Sequence, residues 1–160
     1  VTSCPHGFHA FKNRYNQTSF EPQHHTQLLA KLIEDEKLNC SKEVNKKVIY
    51  HDPCFLGKQN SIYEEPRKVI ESIPGVMLLE FDRSKARSLC CEGGGGRMWV
   101  DIPGPRLAEI RVKDAVAAGA EVLTVACPFC LLTIEDAVKT TGNEGKIQIM
   151  DIVELLALAL

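Results

Sequence analysis

Along the chain, short β-branched apolar runs alternate with longer stretches in which apolar residues recur at helical spacing. Lys47-Val48-Ile49-Tyr50-His51 has the composition of a strand, as do Val76 to Phe81, Glu121 to Ala126 and Ile147 to Met150. Between them, Val69, Ile70 and Ile73 share one face after Pro66, which suits the first position of a helix, and Pro74-Gly75 stops it. Pro105 opens a further helix that ends at Ala118-Gly119-Ala120. Cys127-Pro128-Phe129-Cys130 runs directly into a helix through Leu131, Ile134 and Val138, and Asp151 with Glu154 makes a capping-box start for the last one. Near the N-terminus, Val1-Thr2-Ser3 reads as the end of a strand and Phe8 to Tyr15 as a short helix. Glu21 to His25 reads as a second short strand, followed by Thr26 as the cap of a helix carrying Leu28, Leu29, Leu32 and Ile33 on one face.

Strands alternating with helices predict an α/β fold of Rossmann-like βαβ units around a mostly parallel sheet. In such a sheet every loop that leaves a strand's C-terminus opens on the same edge. An internal echo is also present: Val1-Thr2-Ser3-Cys4-Pro5-His6-Gly7-Phe8 parallels Thr124-Val125-Ala126-Cys127-Pro128-Phe129-Cys130-Leu131. With the polar stretch Ser41 to Lys47 as boundary, the echo divides the chain into residues 1–43, the closing portion of a truncated first repeat, and 44–160, a complete unit.

Composition narrows the function classes. At 160 residues the chain supports one ordinary domain's core, and a formal net charge of −2 carries no basic excess for nucleic acid. No apolar run approaches the ~18 residues of a membrane span. The polar first residues do not read as a signal peptide, and a start at Val1 rather than Met points to a fragment or a processed product. Seven cysteines without a secretion signal indicate a reducing, cytoplasmic setting, where thiols bind metal or do redox chemistry.

The chemistry centres on Cys90-Cys91-Glu92-Gly93-Gly94-Gly95-Gly96. Adjacent cysteines pair poorly with each other, and four glycines suit close approach of backbone to a compact object. Cys54 lies 36 positions before Cys90, and Cys127 lies 36 after Cys91, with Cys130 completing a C-x-x-C. That period is about one βα unit, so Cys54, Cys90, Cys91, Cys127 and Cys130 should converge at one rim as metal ligands. Cys4 and Cys40 fall outside the pattern. Structural zinc or an ordinary iron–sulfur cube takes four thiolates, whereas a cluster with a bridging thiolate takes five. Gly93, Gly94, Gly95 and Gly96 fit a cluster whose sulfides accept N–H hydrogen bonds, and present no side chains to block the rim. A zinc-stabilised interaction module and a thiol–disulfide oxidoreductase using Cys127 and Cys130 are the alternatives. His51-Asp52 beside Cys54 offers a proton donor, although a supporting hydrogen bond is the preferred reading. Lys58, Arg87 and Arg97 are expected at the surface, and Met98 and Trp99 in packing.

The pattern Cys54…Cys90-Cys91…Cys127-x-x-Cys130 resembles the cysteine-rich CCG domain of heterodisulfide reductase and its relatives. Tyr50-His51-Asp52-Pro53-Cys54, Gly94-Gly95-Gly96-Arg97-Met98-Trp99 and Ala126-Cys127-Pro128-Phe129-Cys130 are similar to the catalytic iron–sulfur subunits of that group. The resemblance implies a [4Fe–4S] cluster, non-cubane in the best-known members, with all five cysteines as ligands. It also implies electron transfer to or from a disulfide, a quinone or a flavoprotein, beside other iron–sulfur or flavoprotein subunits. Membrane association would come through a partner only. Glu92 stands where the family's name-giving glycine usually is, and Gly7 replaces a cysteine of the first motif. A carboxylate at Glu92 is expected beside Cys91, lowering the cluster's potential and favouring electron relay over direct disulfide reduction.

Overall fold

Four of the apolar runs form one parallel sheet in a computed structural model that describes residues 1–15, 19–100 and 102–160. The strands are β1 (Lys47–Tyr50), β2 (Met77–Leu79), β3 (Val122–Val125) and β4 (Gln148–Asp151), in the order β2-β1-β3-β4. The helices among the described residues are α1 (Pro5–Asn13), α2 (His25–Glu34), α3 (Gly57–Asn60), α4 (Glu64–Glu71), α5 (Leu107–Ala117), α6 (Pro128–Thr140) and α7 (Ile152–Ala157). The expected α/β class with parallel Rossmann-like units is what forms.

Side-chain alternation along the strands builds two cores. Val48, Tyr50 and Val122 face a layer containing Phe8 of α1, Ala30 of α2, Val69 and Ile70 of α4, and Leu155 and Leu156 of α7. Ile49, Leu123 and Val125 face the opposite layer, with Ala108, Val112 and Ala115 of α5 and Ile134 and Ala137 of α6. Because β1 is flanked by β2 on one side and β3 on the other, the chain reverses its direction of travel across the sheet at β1. The crevice at the carboxyl ends of β1 and β3 is therefore the topological switch point, where open α/β sheets bind ligands.

Several predicted boundaries move for identifiable reasons. Pro66 lies in the third position of α4, after Glu64 and Glu65, whose carboxylates favour the positive end of the helix dipole. Pro105 precedes α5, for which Arg106 is the N-cap. The short strands expected at Val1-Thr2-Ser3 and Glu21 to His25 reduce to one parallel bridge between Thr2 and His24. The cap of α2 is His24 instead of Thr26: its Nδ1 accepts from the Thr26 amide, and Gln27 accepts from the His24 amide at 3.1 Å. The helix read as Phe8 to Tyr15 begins at Pro5, directly after Cys4.

That last shift makes the internal echo three-dimensional. α1 and α6 both start with an extended cysteine as N-cap and a proline at the first position, Cys4-Pro5 and Cys127-Pro128. Thr2 pairs in parallel with His24, and Val125 with Asp151; His24 and Asp151 each close a capping box on the next helix. α1 has nine residues and α6 thirteen. The interval from cysteine to cap is likewise four residues shorter in the first copy.

Burial, followed by the neighbouring His25 charge, holds the His24 pKa down to about 3. An unfolded histidine titrates near ~6.5, so the unfolded chain takes up this proton first. The stability this difference contributes is complete above that value and is lost as pH falls toward about 3. His24→Asn keeps a capping side chain without a titrating ring. In urea unfolding followed by circular dichroism, it should lose less stability than the parent between pH 7 and pH 4, although the other buried histidines still contribute. Equal losses in the two proteins would refute the assignment.

Candidate metal centre

The five thiols come to the switch point from three loops. Cys54 follows β1 through His51-Asp52-Pro53, and the Cys90-Cys91 pair lies on the long connection between β2 and α5. Cys127 is the N-cap of α6, and Cys130 lies in its first turn. All five line one narrow hollow, together with His6, Phe55, Gly94 and Phe129. The sulfurs of Cys54 and Cys90 are 3.9 Å apart and those of Cys91 and Cys130 are 3.2 Å apart. Cys4 and Cys40 lie elsewhere: the Cys4 amide donates to Thr2 Oγ1, and the Cys40 sulfur is 3.9 Å from Ser72 Oγ.

The loop carrying Cys90 and Cys91 is ordered from β1. Asp52 takes both terminal nitrogens of Arg67 at 2.8 and 3.0 Å. It also accepts the Lys85 amide at 2.8 Å, and its carbonyl accepts Ser88 Oγ at 3.2 Å. Both carboxylate oxygens are thus engaged in holding the approach to Cys90. Arg67 in turn grips Glu80 at 2.6 and 2.9 Å and the Tyr63 carbonyl at 2.7 Å.

Sulfurs this close share their protons unequally. The Cys54 and Cys91 thiols, helped by the Glu92 amide, hold Cys90 well below the usual thiol range. The Cys130 thiol and the first amides of α6 draw Cys127 down as well. Cys54 is pushed up by its hydrogen bond to Cys90 and then by burial, and Cys130 by Cys127, Cys91 and burial. For Cys91 the Cys130 thiol pulls downward, but Cys90 and burial prevail and raise it to about 12. Burial and mutual proximity oppose ionisation of all five sulfurs at once; a cationic centre is what would let them ionise together.

His51 meets the same requirement from another direction. It is fully buried, and both ring nitrogens lack a hydrogen-bond partner. A ring nitrogen and the sulfurs of Cys91 and Cys130 all lie within 4.8 Å of one another. Burial and then the Arg111 charge hold its pKa down to about 3, so the ring is neutral at physiological pH. A buried imidazole with unused nitrogens beside two thiols fits a group that accepts an N–H or takes a lone pair. The residues present therefore fit a thiolate-held metal group.

The glycine run closes more of the rim than its lack of side chains suggested. A Cβ on Gly93 would overlap Thr133 Oγ1 and come 2.8 Å from the Phe129 carbonyl, so α6 covers it. At Gly94 the same space is taken by the His6 ring; Gly95 and Gly96 face open space. His6 stacks 4.1 Å from Phe55 and meets the edge of Phe129 at 5.7 Å, which forms an aromatic collar over the sulfurs. Glu92 occupies the left-handed region at φ 70°, the conformation a glycine there would adopt without cost. Its carboxylate turns to Arg97 at 3.3 Å and to the Leu107 amide at 2.9 Å, which caps α5. The expected unpaired negative charge beside Cys91 is therefore answered by Arg97, and the argument from it for a lowered potential falls.

Lys58 is exposed as expected, and Arg87 spends its guanidinium on the Asp82 carbonyl. Trp99, expected in packing, is 78 % exposed because the loop after the glycines carries it outward. Sequence reasoning did not single out His6, Phe55 or Phe129 for the collar. The one available signal for His6 was its place in the Cys4-Pro5 echo of Cys127-Pro128.

Fold and site together define an α/β domain that gathers five cysteines at the switch point of a parallel sheet. The chain belongs to the CCG cysteine-rich domain family, whose model matches residues 48–135. It is 38 % identical over 160 residues to the probable iron–sulfur-binding oxidoreductase FadF of Bacillus subtilis, covering 98 % of this chain and 23 % of that protein. It is 37 % identical over 166 residues to the EtfAB:quinone oxidoreductase of Syntrophomonas wolfei, with shares of 98 % and 23 %. It is 43 % identical over 145 residues to one polypeptide of the dihydromethanophenazine:CoB--CoM heterodisulfide reductase of Methanosarcina barkeri, with shares of 88 % and 34 %. The chain thus spans only 23–34 % of the length of these relatives.

Gly93→Ala and Gly95→Ala separate the two halves of the glycine run. The first forces a methyl group against α6 and should cost about 1–3 kcal/mol, as overpacking does. The second points into open space and should be nearly neutral. Chemical denaturation of the two variants beside the parent checks this, and equal losses would contradict the packing described.

Proposed function

We propose that Cys54, Cys90, Cys91, Cys127 and Cys130 hold one iron–sulfur cluster, of [4Fe–4S] type and non-cubane form, in an oxidoreductase subunit. The observation that carries this reading is the five sulfurs on one hollow, with the unpartnered His51 ring beside two of them. The name of the Bacillus subtilis relative, an iron–sulfur-binding oxidoreductase, supports iron over zinc. Structural zinc would also leave one thiol unused. A thiol–disulfide oxidoreductase would need a reachable thiolate, whereas Cys127 and Cys130 are only 1 % and 3 % exposed.

When bound, the cluster supplies a one-electron carrier. The chain's own residues provide the rest. The first-turn amides of α6 and the Glu92 amide point at sulfur and stabilise thiolate charge. His51 offers an N–H toward the same sulfurs, and Asp52 acts through Arg67, Lys85 and Ser88 to position the Cys90 loop. Gly93, Gly94, Gly95 and Gly96 are assigned to the outer edge, where Gly94 lines the hollow, and His6, Phe55 and Phe129 cover part of it.

The burial of Cys91, Cys127 and Cys130 favours electron relay within a complex over direct attack on a disulfide. Trp99, Val100, Ile102 and Leu132, all more than half exposed, lie on the loop after the glycines and on α6, and offer apolar surface to an adjoining redox subunit. Among the described residues no helix is long and apolar enough to cross a membrane. We assign the chain to the cytoplasmic side of such a complex, with any membrane contact made by a partner. Residues 1–43 are read as the closing part of a first repeat, and 44–160 as the complete cysteine-rich unit.

The test is the anaerobically purified chain with Cys90 and Cys91 both changed to Ser. The parent should contain iron and sulfide and give an EPR signal on one-electron oxidation or reduction; the variant should lose both. Iron content and spectra unchanged by the double substitution would remove the ligand assignment, and stoichiometric zinc in the parent would favour the interaction module.

A further inference from the structure

α5 buries Ala108, Arg111, Val112 and Ala115, the spacing of a core stripe, with an arginine inserted among alanines and a valine. Arg111 is 0 % exposed. Its guanidinium carbon stands 3.3 Å from the centroid of the Phe81 ring, and Nη1 donates to the Arg83 carbonyl at 3.1 Å. Nε and Nη2 are buried without any partner. Arginine does not shed its proton in proteins, and a buried charge lacking a counter-ion is costly.

The nearby carboxylates are already engaged. Asp52 and Glu80 are bound by Arg67, and Asp114 lies 3.8 Å from Arg83. What remains on this side of the sheet is the sulfur site: Cys91, Cys127 and Cys130 belong to the same core as Ala108 and Val112. His51, against the Cys91 and Cys130 sulfurs, is the group of that site that feels the Arg111 charge.

We propose that Arg111 is the buried countercharge of the sulfur-held centre, balancing the excess negative charge that five thiolates bring. This inference rests on the cluster reading above. Five thiolates outnumber the positive charges of an iron–sulfur core, and each electron added makes the site more negative. A fixed cation in a low-dielectric core therefore strengthens binding of the centre and favours its reduced form. Arg111 is a positioning residue, since it is not among the side chains that line the sulfur hollow.

The full chain is compared as parent, Arg111→Met and Arg111→Lys, each metal-free and after anaerobic reconstitution with iron and sulfide. Three quantities are read: the melting temperature without metal, iron retention against a chelator, and the midpoint potential by EPR-monitored titration. Without metal, Arg111→Met should melt above the parent, because an apolar chain replaces an unpaired buried charge. With metal it should hold iron about 10–100-fold more weakly, as when a group supporting the ligands is lost, and be reduced at a lower potential. Arg111→Lys keeps the charge and should stay closer to the parent in potential.

A role limited to packing on Phe81 and bonding Arg83 gives a different result. Arg111→Met would then melt below the parent, or fail to fold without metal, and would leave potential and iron retention unmoved in whatever folds; either finding overturns the proposal. A parent that binds no iron overturns the cluster reading first and this inference with it. A parent with a normal cluster, matched in potential by Arg111→Met, overturns the countercharge alone.

Discussion

The guanidinium of Arg67 joins four separate pieces of chain at one buried point. It takes Asp52 from the end of β1, Glu80 from the end of β2 and the Tyr63 carbonyl at the start of α4, while Asp52 also receives the amide of Lys85. The Arg67 and Asp52 side chains are 5 % and 2 % exposed, so neither can exchange its partner for water. Removing one member of such a pair typically costs about 3–5 kcal/mol, because the other charge is stranded. The position of Cys90 and Cys91 relative to Cys54 is thereby tied to the sheet, although 36 residues separate Cys54 from Cys90.

With the loop fixed, the electrostatics of the site follow from proximity and burial. Two sulfurs are favoured as thiolates by amides and neighbouring thiols, while three are held as thiols by their neighbours and by exclusion of water. Arg67 is saturated by carboxylates, but Arg111 and His51 keep buried nitrogens unused on the side of the sheet that faces the sulfurs. Two networks thus divide the labour. One is satisfied and sets geometry; the other is unsatisfied and, in the role proposed above, would balance the negative charge of the gathered sulfurs.

The N-terminal segment contributes more than a remnant would. α1 supplies His6 to the collar, and its Asn13 amide donates to Asn60, which itself donates to the Phe55 carbonyl beside Cys54. The Cys4-Pro5 start and the Thr2–His24 bridge repeat the geometry of Cys127-Pro128 and β4, but where α6 has Cys130, α1 has Gly7. The N-terminal segment thus shares the backbone geometry of the Cys127 start without its second cysteine, and supplies the His6 ring beside Gly94.

Strand and helix order, the parallel sheet and the convergence of Cys54, Cys90, Cys91, Cys127 and Cys130 were legible from periodicity and spacing. A βα unit has a characteristic length, and the chirality of its crossover brings loops after strands to one edge. The Asp151-Glu154 cap was legible for the same kind of reason, since its partners lie three residues apart. Contacts between distant residues were not. That Glu92 turns from Cys91 to Arg97 and the start of α5, that His6 faces Gly94, and that Arg111 is interred beside Phe81 depend on which surfaces meet once the sheet is formed. Local pattern records the period and the polarity of a residue; only tertiary packing decides which partner a buried charge finds, or is left without.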